Sequence, residues 1–273
     1  MTRRSELGDL WDPITELVTR ALGGNTHFGY WIEPAGSEPI GAATDRLTDL
    51  VAGRLAATRG ARIVDIGCGS GRPARRISAA GGARVAGVTA SLAQFTAART
   101  PAAREGQVTF HHGPVDQLCF PDGTFDGAYA VDTLLYEADR AGTVAEIARV
   151  LRPGGRLVIA DICMRGPLHD RVLATATALE RTFGLSRVPD MQCFRGYLED
   201  AGMSVIGSDD IGRGVRPTYD VLAAALRNVE GFPAEATDRL AAAADTVEAF
   251  GAQPETGYVL MTAERPDLDR SGT

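Results

Sequence analysis

The chain has no lysine; all 28 of its basic residues are arginine. That absence excludes Schiff-base lysine chemistry, pyridoxal phosphate enzymes and the lysine of a P-loop. Cysteine is scarce as well. The four residues Cys68, Cys119, Cys163 and Cys193 form no C-x-x-C pair, so neither a zinc ribbon nor a disulfide framework is expected, and a reducing cytoplasm is. Apolar runs of about 18 residues are absent, and the opening MTRRSELGDLWDP lacks the apolar stretch of a signal peptide; no membrane segment is expected. Positive charge is in deficit, and the formal net charge of −7 disfavours a polyanionic partner such as nucleic acid. Histidine is rare, and the adjacent His111 and His112 would point to opposite faces of a strand. They make no joint metal site; one is expected to pack and the other to edge a pocket.

What is present is an alternation. At 273 residues the chain suits one large α/β domain with elaborations. Residues 10–22 and 43–57 read as helices, the second with Leu47, Leu50, Val51 and Leu55 on one face. Between them lies the aromatic loop Asn25-Thr26-His27-Phe28-Gly29-Tyr30-Trp31. From residue 62 short apolar strands (63–66, 85–88, 108–112, 125–131, 157–162) alternate with helices near 72–80, 92–99 and 142–151. Such alternation builds a parallel sheet covered on both faces. Beyond it the pattern predicts helices at 166–184, 192–201, 218–228 and 234–249, and two late strands at 204–208 and 257–262. The expected organisation is a helical lid over 1–60, a core over 61–164, a helical cap with the last two strands over 165–264, and a disordered tail over 265–273.

The strongest motif is Val64-Asp65-Ile66-Gly67-Cys68-Gly69-Ser70-Gly71, where the first core strand ends. Glycines there let a cofactor approach the backbone closely. Alone, such a turn serves NAD, FAD or S-adenosylmethionine (SAM). The spacing is G-x-G-x-G rather than G-x-G-x-x-G, and Thr89 stands where a nicotinamide site wants a ribose-binding acid.

VDIGCGSG resembles motif I of the class I SAM-dependent methyltransferases, and LCFPDGTFDGAYAVDTLLY and IARVLRPGGRLVIAD resemble later segments of that family in the same order. The resemblance covers roughly residues 10–165, more loosely the rest. It is nearest to bacterial small-molecule methyltransferases of natural-product biosynthesis, including sugar O-methyltransferases and cyclopropane-synthase-like enzymes. It implies a Rossmann-like fold with a mostly parallel seven-stranded sheet, helices on both faces, an N-terminal lid and a cap after strand five. It implies SAM as the cofactor, S-adenosylhomocysteine as its product, and methylation of a small molecule.

The resemblance also implies site residues. Gly67 and Gly69 lie under the methionine and ribose parts of SAM, Asp65 faces its amino end, and Trp11 and His27 cover the methionine half. Thr89 and Gln94 share the ribose diol, which an amide can both donate to and accept from. Pro114 occupies the family's adenine-binding acid position, so Val115 and Asp116 are expected to serve the adenine; Val131 lines the cofactor at the end of strand four. Where sugar O-methyltransferases of this group carry a histidine base, the sequence has Tyr136 after Leu135. Asp161, at the carboxyl end of strand five, is then the expected base and Tyr136 its partner in positioning the acceptor. Leu173, Phe183, Met191, Phe194 and Tyr219 make the cap apolar, which favours an apolar or polycyclic acceptor. The missing histidine also leaves open a cyclase that keeps the fold and the cofactor without methyl transfer.

Overall fold

Alternate side chains of the central strands enter two different cores, because successive residues point to opposite faces of one sheet. In β1 (Arg62–Ile66), Ile63 joins one core and Val64 the other; β2 (Arg84–Thr89) divides Val85 from Val88 in the same way. Burial on both faces is why these strands read as nearly continuous apolar runs. The computed structural model describes residues 11–33, 38–99, 107–166 and 169–267. Residues 1–10 and the tail beyond 267, for which the composition predicts disorder, lie outside the described residues.

The sheet runs β3-β2-β1-β4-β5-β7-β6, with β3 at Val108–His112, β4 at Phe125–Val131, β5 at Leu151–Met164, β6 at Ser204–Asp210 and β7 at Thr256–Glu264. All neighbours pair in parallel except those of β7, which is antiparallel to both β5 and β6. This is the seven-stranded, mostly parallel Rossmann-like sheet that the sequence leads one to expect. One face carries α2 (Ile40–Leu55), α3 (Arg72–Gly81), α6 (Asp170–Phe183), α9 (Pro217–Arg227) and α10 (Ala234–Gly251). The other carries α5 (Arg140–Val150), which buries Val144, Ile147 and Ala148, and α7 (Met191–Asp200). α1 (Trp11–Ala21) packs on α9. Three helix starts among the described residues are capped by side chains: Ser91 Oγ accepts the Gln94 N–H at 3.2 Å to start α4 (Leu92–Ala98), Asp139 Oδ1 accepts the Gly142 N–H at 2.8 Å to start α5, and Asp190 Oδ1 accepts the Cys193 N–H at 2.8 Å to start α7.

Three features depart from the sequence reading. β5 begins at Leu151 rather than near Leu157, because the Pro153-Gly154-Gly155 stretch, which reads as a turn, is absorbed by a register shift opposite Phe125 and Gly127. The 3-10 turn Leu134–Tyr136 and the short α8 (Gly212–Val215) carry too few residues for a periodic pattern. Phe194 of α7 is fully buried on the face away from α9 and α10 and offers an acceptor no surface. No helix among the described residues is long and apolar enough to cross a membrane.

Candidate functional site

β1 ends in the glycine turn beside the point where strand order reverses, from β1-β2-β3 on one side to β4-β5 on the other. Open α/β sheets bind ligands in the crevice at that point. Gly67, Gly69 and Gly71 all have left-handed φ (+75°, +53° and +77°), which side chains other than glycine's rarely adopt. The N–H groups of Gly67 and Cys68 both donate to the Val88 carbonyl at 2.9 Å and draw the turn against the end of β2. A Cβ on Gly67 would stand 2.2 Å from Thr133 Oγ1, and one on Gly69 2.1 Å from Thr26 Oγ1. The turn is therefore walled by the end of β4 and by the segment that follows α1.

Asp65, just before the turn, is 3% exposed. Burial raises its carboxyl to about 7, against the opposing pull of Tyr129, its register neighbour on β4. Neither Asp65 Oδ2 nor the Tyr129 hydroxyl completes a hydrogen bond. A buried carboxylate oxygen in that condition is costly until a donor is supplied.

Residues 25–31 form a strap across this edge. Asn25 Nδ2 donates to Thr44 Oγ1 (2.8 Å) and the Tyr30 N–H to the Ala43 carbonyl (2.9 Å), both on α2. On the opposite side the Gly29 N–H donates to Thr218 Oγ1 (3.1 Å) and the Trp31 N–H to the Gly214 carbonyl (2.8 Å). His27 lies within this interface, Nδ1 2.8 Å from the Phe28 carbonyl and Nε2 3.1 Å from Thr48 Oγ1. Burial lowers its pKa to about 4, so the ring is neutral at pH 7 and both nitrogens are engaged. The side chain of Trp11 lies outside the described residues.

One residue past β4, Asp132 adopts φ +48°. Its Oδ2 accepts the Phe28 N–H at 2.8 Å and its Oδ1 accepts the Tyr258 hydroxyl at 2.9 Å, tying the strap to β7. The Phe28 ring sits against Tyr219 (5.0 Å, edge-on) and Tyr258 (5.9 Å, stacked). Burial raises Asp132 to about 7, with the Phe28 and Tyr258 hydrogen bonds opposing. Tyr136 is likewise pushed up by burial, then by Asp132 and Asp161. Asp132 and Tyr136 are desolvated by their surroundings yet keep some accessible surface. Asp161 differs. It is 0% exposed, its Oδ1 accepts the Ile162 N–H (2.8 Å) and its Oδ2 the Leu135 N–H (3.2 Å), so it fastens the Leu134–Tyr136 turn from beneath. The sequence reading assigns Asp132 no role; an acid directly after a buried strand at the sheet's carboxyl edge is the signal that marks it.

The Thr89 hydroxyl, at the end of β2, donates to Gln94 Oε1 at 2.8 Å and accepts the Ser91 N–H at 3.2 Å. His112 borders this pair, with Nε2 3.2 Å from the Ala90 carbonyl, while His111 packs edge-on against Phe120. Beyond β3, Val115 is buried between exposed Pro114 and Asp116. Behind the effect of burial, the Asp116 charge raises the pKa of Glu137. Val131, half-buried, closes β4 in register with Ala160.

Residues 64–159 match the model of the methyltransferase domain family. The O-methyltransferase resE of Aspergillus sclerotiorum is 35% identical over 267 residues, 96% of this chain and 97% of the relative. The 27-O-demethylrifamycin SV methyltransferase of Amycolatopsis mediterranei is 32% identical over 271 residues, 96% and 98% of the two chains. Among solved structures, the [4+2]-cyclase SpnF is similar at a TM-score of 0.79 and 30% identity, over 97% of this chain and 98% of that one. This chain belongs to the SAM-dependent methyltransferases.

The methyltransferase takes SAM, whose sulfonium supplies an electrophilic methyl group to a small-molecule acceptor. Its residues fit that ligand. The orphaned Asp65 oxygen suits the amino group of SAM, and the left-handed glycines bend the backbone into the tight turn at the sheet's carboxyl edge. Gln94, its oxygen held by Thr89, has amide N–H groups to offer a ribose diol. Losing one such bond costs about 0.5–1.5 kcal/mol, so Gln94→Ala should weaken SAM about threefold to tenfold by calorimetry. Equal binding of 2′-deoxy-SAM and SAM by the unaltered protein would show the diol contact to be dispensable.

Proposed function

We propose that this methyltransferase methylates an oxygen of an apolar, polycyclic or macrocyclic natural product in the cytoplasm. What carries the reading is full-length similarity to a relative named as an O-methyltransferase and to one named for methylating 27-O-demethylrifamycin SV. The surroundings agree with it in character: the rings of Phe28, Tyr219 and Tyr258 cluster beside Asp132. Four unpaired cysteines suit a reducing compartment. Tyr136 is placed to steady the acceptor, because an ordinary phenol is a poor base but a good hydrogen-bond partner. An acid at the carboxyl edge, for which Asp161 is the sequence's candidate, removes the hydroxyl proton. Much of the rate comes from holding the acceptor at near-attack distance.

A second reading, favoured by the likeness to SpnF, keeps SAM bound while the pocket folds a reactive polyene. Incubation with SAM and hydroxyl-bearing polyketides separates the two. O-methylation yields one S-adenosylhomocysteine per methylated product. A cyclised product without S-adenosylhomocysteine would establish the second reading and overturn the first.

A further inference from the structure

Two carboxylates lie level on adjacent strands, Asp132 one residue past the end of β4 and Asp161 within β5, which runs on to Met164 rather than ending beside it as the sequence leads one to expect, and they differ in what they face. Asp161 is closed off from solvent, and each of its oxygens is held by a backbone N–H. Asp132 keeps some accessible surface beside Tyr136. Its left-handed backbone turns the chain sharply where β4 ends, a conformation that is uncommon and costly outside glycine. Two partners from distant parts of the chain, Phe28 and Tyr258, hold the carboxylate with one hydrogen bond to each oxygen. Each oxygen retains a second lone pair for a further donor. We infer that Asp132, rather than Asp161, accepts the proton of the acceptor hydroxyl, an inference that rests on the O-methylation reading.

In this step the hydroxyl O–H bond breaks and its proton passes to Asp132. The oxygen forms the new C–O bond with the methyl carbon, while the electron pair of the breaking C–S bond stays on sulfur. The proton leaves Asp132 for solvent when the product departs. The surroundings favour the exchange. Burial holds the Asp132 carboxyl at about 7, close to the operating pH at which a general base is most effective. The titratable groups that face it are Asp161 on β5, Tyr136 on the 3-10 turn, Tyr219 on α9 and Tyr258 on β7. Asp161 is itself pushed well above the carboxylate range, by burial first and then by Asp132, with Arg140 opposing. Its hydrogen bond from the Leu135 N–H makes it a positioning residue that holds that end of the turn.

Asp132→Asn is a suitable test because an amide can keep both contacts: its oxygen accepts the Phe28 N–H and its NH2 donates to the Tyr258 oxygen. The variant should bind S-adenosylhomocysteine within about twofold of the unaltered protein. It should form methylated product at least about 100-fold more slowly, with 27-O-demethylrifamycin SV and hydroxyl-bearing polyketides as probe acceptors. With SAM saturating, so that Asp65 is held ionised, turnover of the unaltered enzyme should fall as the pH drops through about 7, and the variant should show no such limb. Tyr258→Phe removes a hydrogen bond that favours the charged form, so its limb should move to higher pH. Independently of turnover, protein labelled with 13C at aspartate carboxyl carbons should show a resonance titrating near pH 7 that disappears in Asp132→Asn. Undiminished turnover in Asp132→Asn, a retained pH limb, or no such resonance would each overturn the assignment while leaving O-methylation standing. Failure of the unaltered enzyme to yield S-adenosylhomocysteine with every hydroxyl acceptor would overturn the O-methylation reading, and the base role with it.

Discussion

Gly69→Val should reduce SAM affinity by more than about 100-fold and release the 25–31 strap. The Cβ it introduces would lie 2.1 Å from Thr26 Oγ1 and 3.1 Å from Thr26 Cβ, so either the turn or the strap has to move. The φ of +53° adds strain that no neighbour can relieve, and a β-branched residue tolerates that region least. Sequence reasoning alone expects the valine to intrude on the cofactor; the structure directs the first collision at the strap instead. The strap in turn is what Asp132 holds through the Phe28 N–H. Hydrogen exchange over residues 25–31 should accordingly quicken in the variant, and added S-adenosylhomocysteine should no longer slow it. Adding Thr26→Ala should restore part of the affinity, since it removes the nearer atom but not the backbone strain. Unchanged affinity in Gly69→Val would remove this turn from the binding site.

Asp65→Asn should stabilise the ligand-free protein at pH 8 while weakening SAM by about tenfold to 100-fold, the loss expected for one charge-assisted hydrogen bond. The folded carboxyl is raised from 3.8 to about 7, so the folded state binds this proton more tightly than the unfolded state. The stability this contributes is fully present below about pH 4, declines as the pH rises to about 7, and is gone above. Linkage over that interval is worth at most about 4 kcal/mol. An amide cannot ionise and escapes the penalty. If half is realised, the variant gains about 2 kcal/mol, or about 5 °C in melting temperature for a chain of this size. Asp132 contributes a pH dependence of the same sign, so the comparison must be between variant and unaltered protein at pH 5 and pH 8. The gain should appear at pH 8 and shrink at pH 5. A lower melting temperature for Asp65→Asn at pH 8 would mean that the ionised carboxylate is satisfied in the free protein, contrary to its orphaned oxygen.

The alternation of apolar strands with amphipathic helices, read from local spacing, determined the sheet, its two cores and the position of the glycine turn at the end of β1. These are legible because each depends on residues a few positions apart, whose side-chain directions follow from a period of 2 or 3.6. The pairing of Thr89 with Gln94 is legible for the same reason, being five residues long. The acids at the strand ends are different. Asp132 and Asp161 both follow apolar strand residues at the same edge, and nothing in the local pattern separates them. What separates them is a left-handed turn at Asp132 and contacts with Phe28 and Tyr258, which are 104 and 126 residues away in the chain. His27 is a parallel case: its sequence position suits a ligand contact, but Thr48 on α2 takes its second nitrogen. Periodicity assigns a side chain to a face of the sheet; which carboxylate is sealed and which stays open depends on what the rest of the chain lays over the strand end, and only tertiary packing decides that.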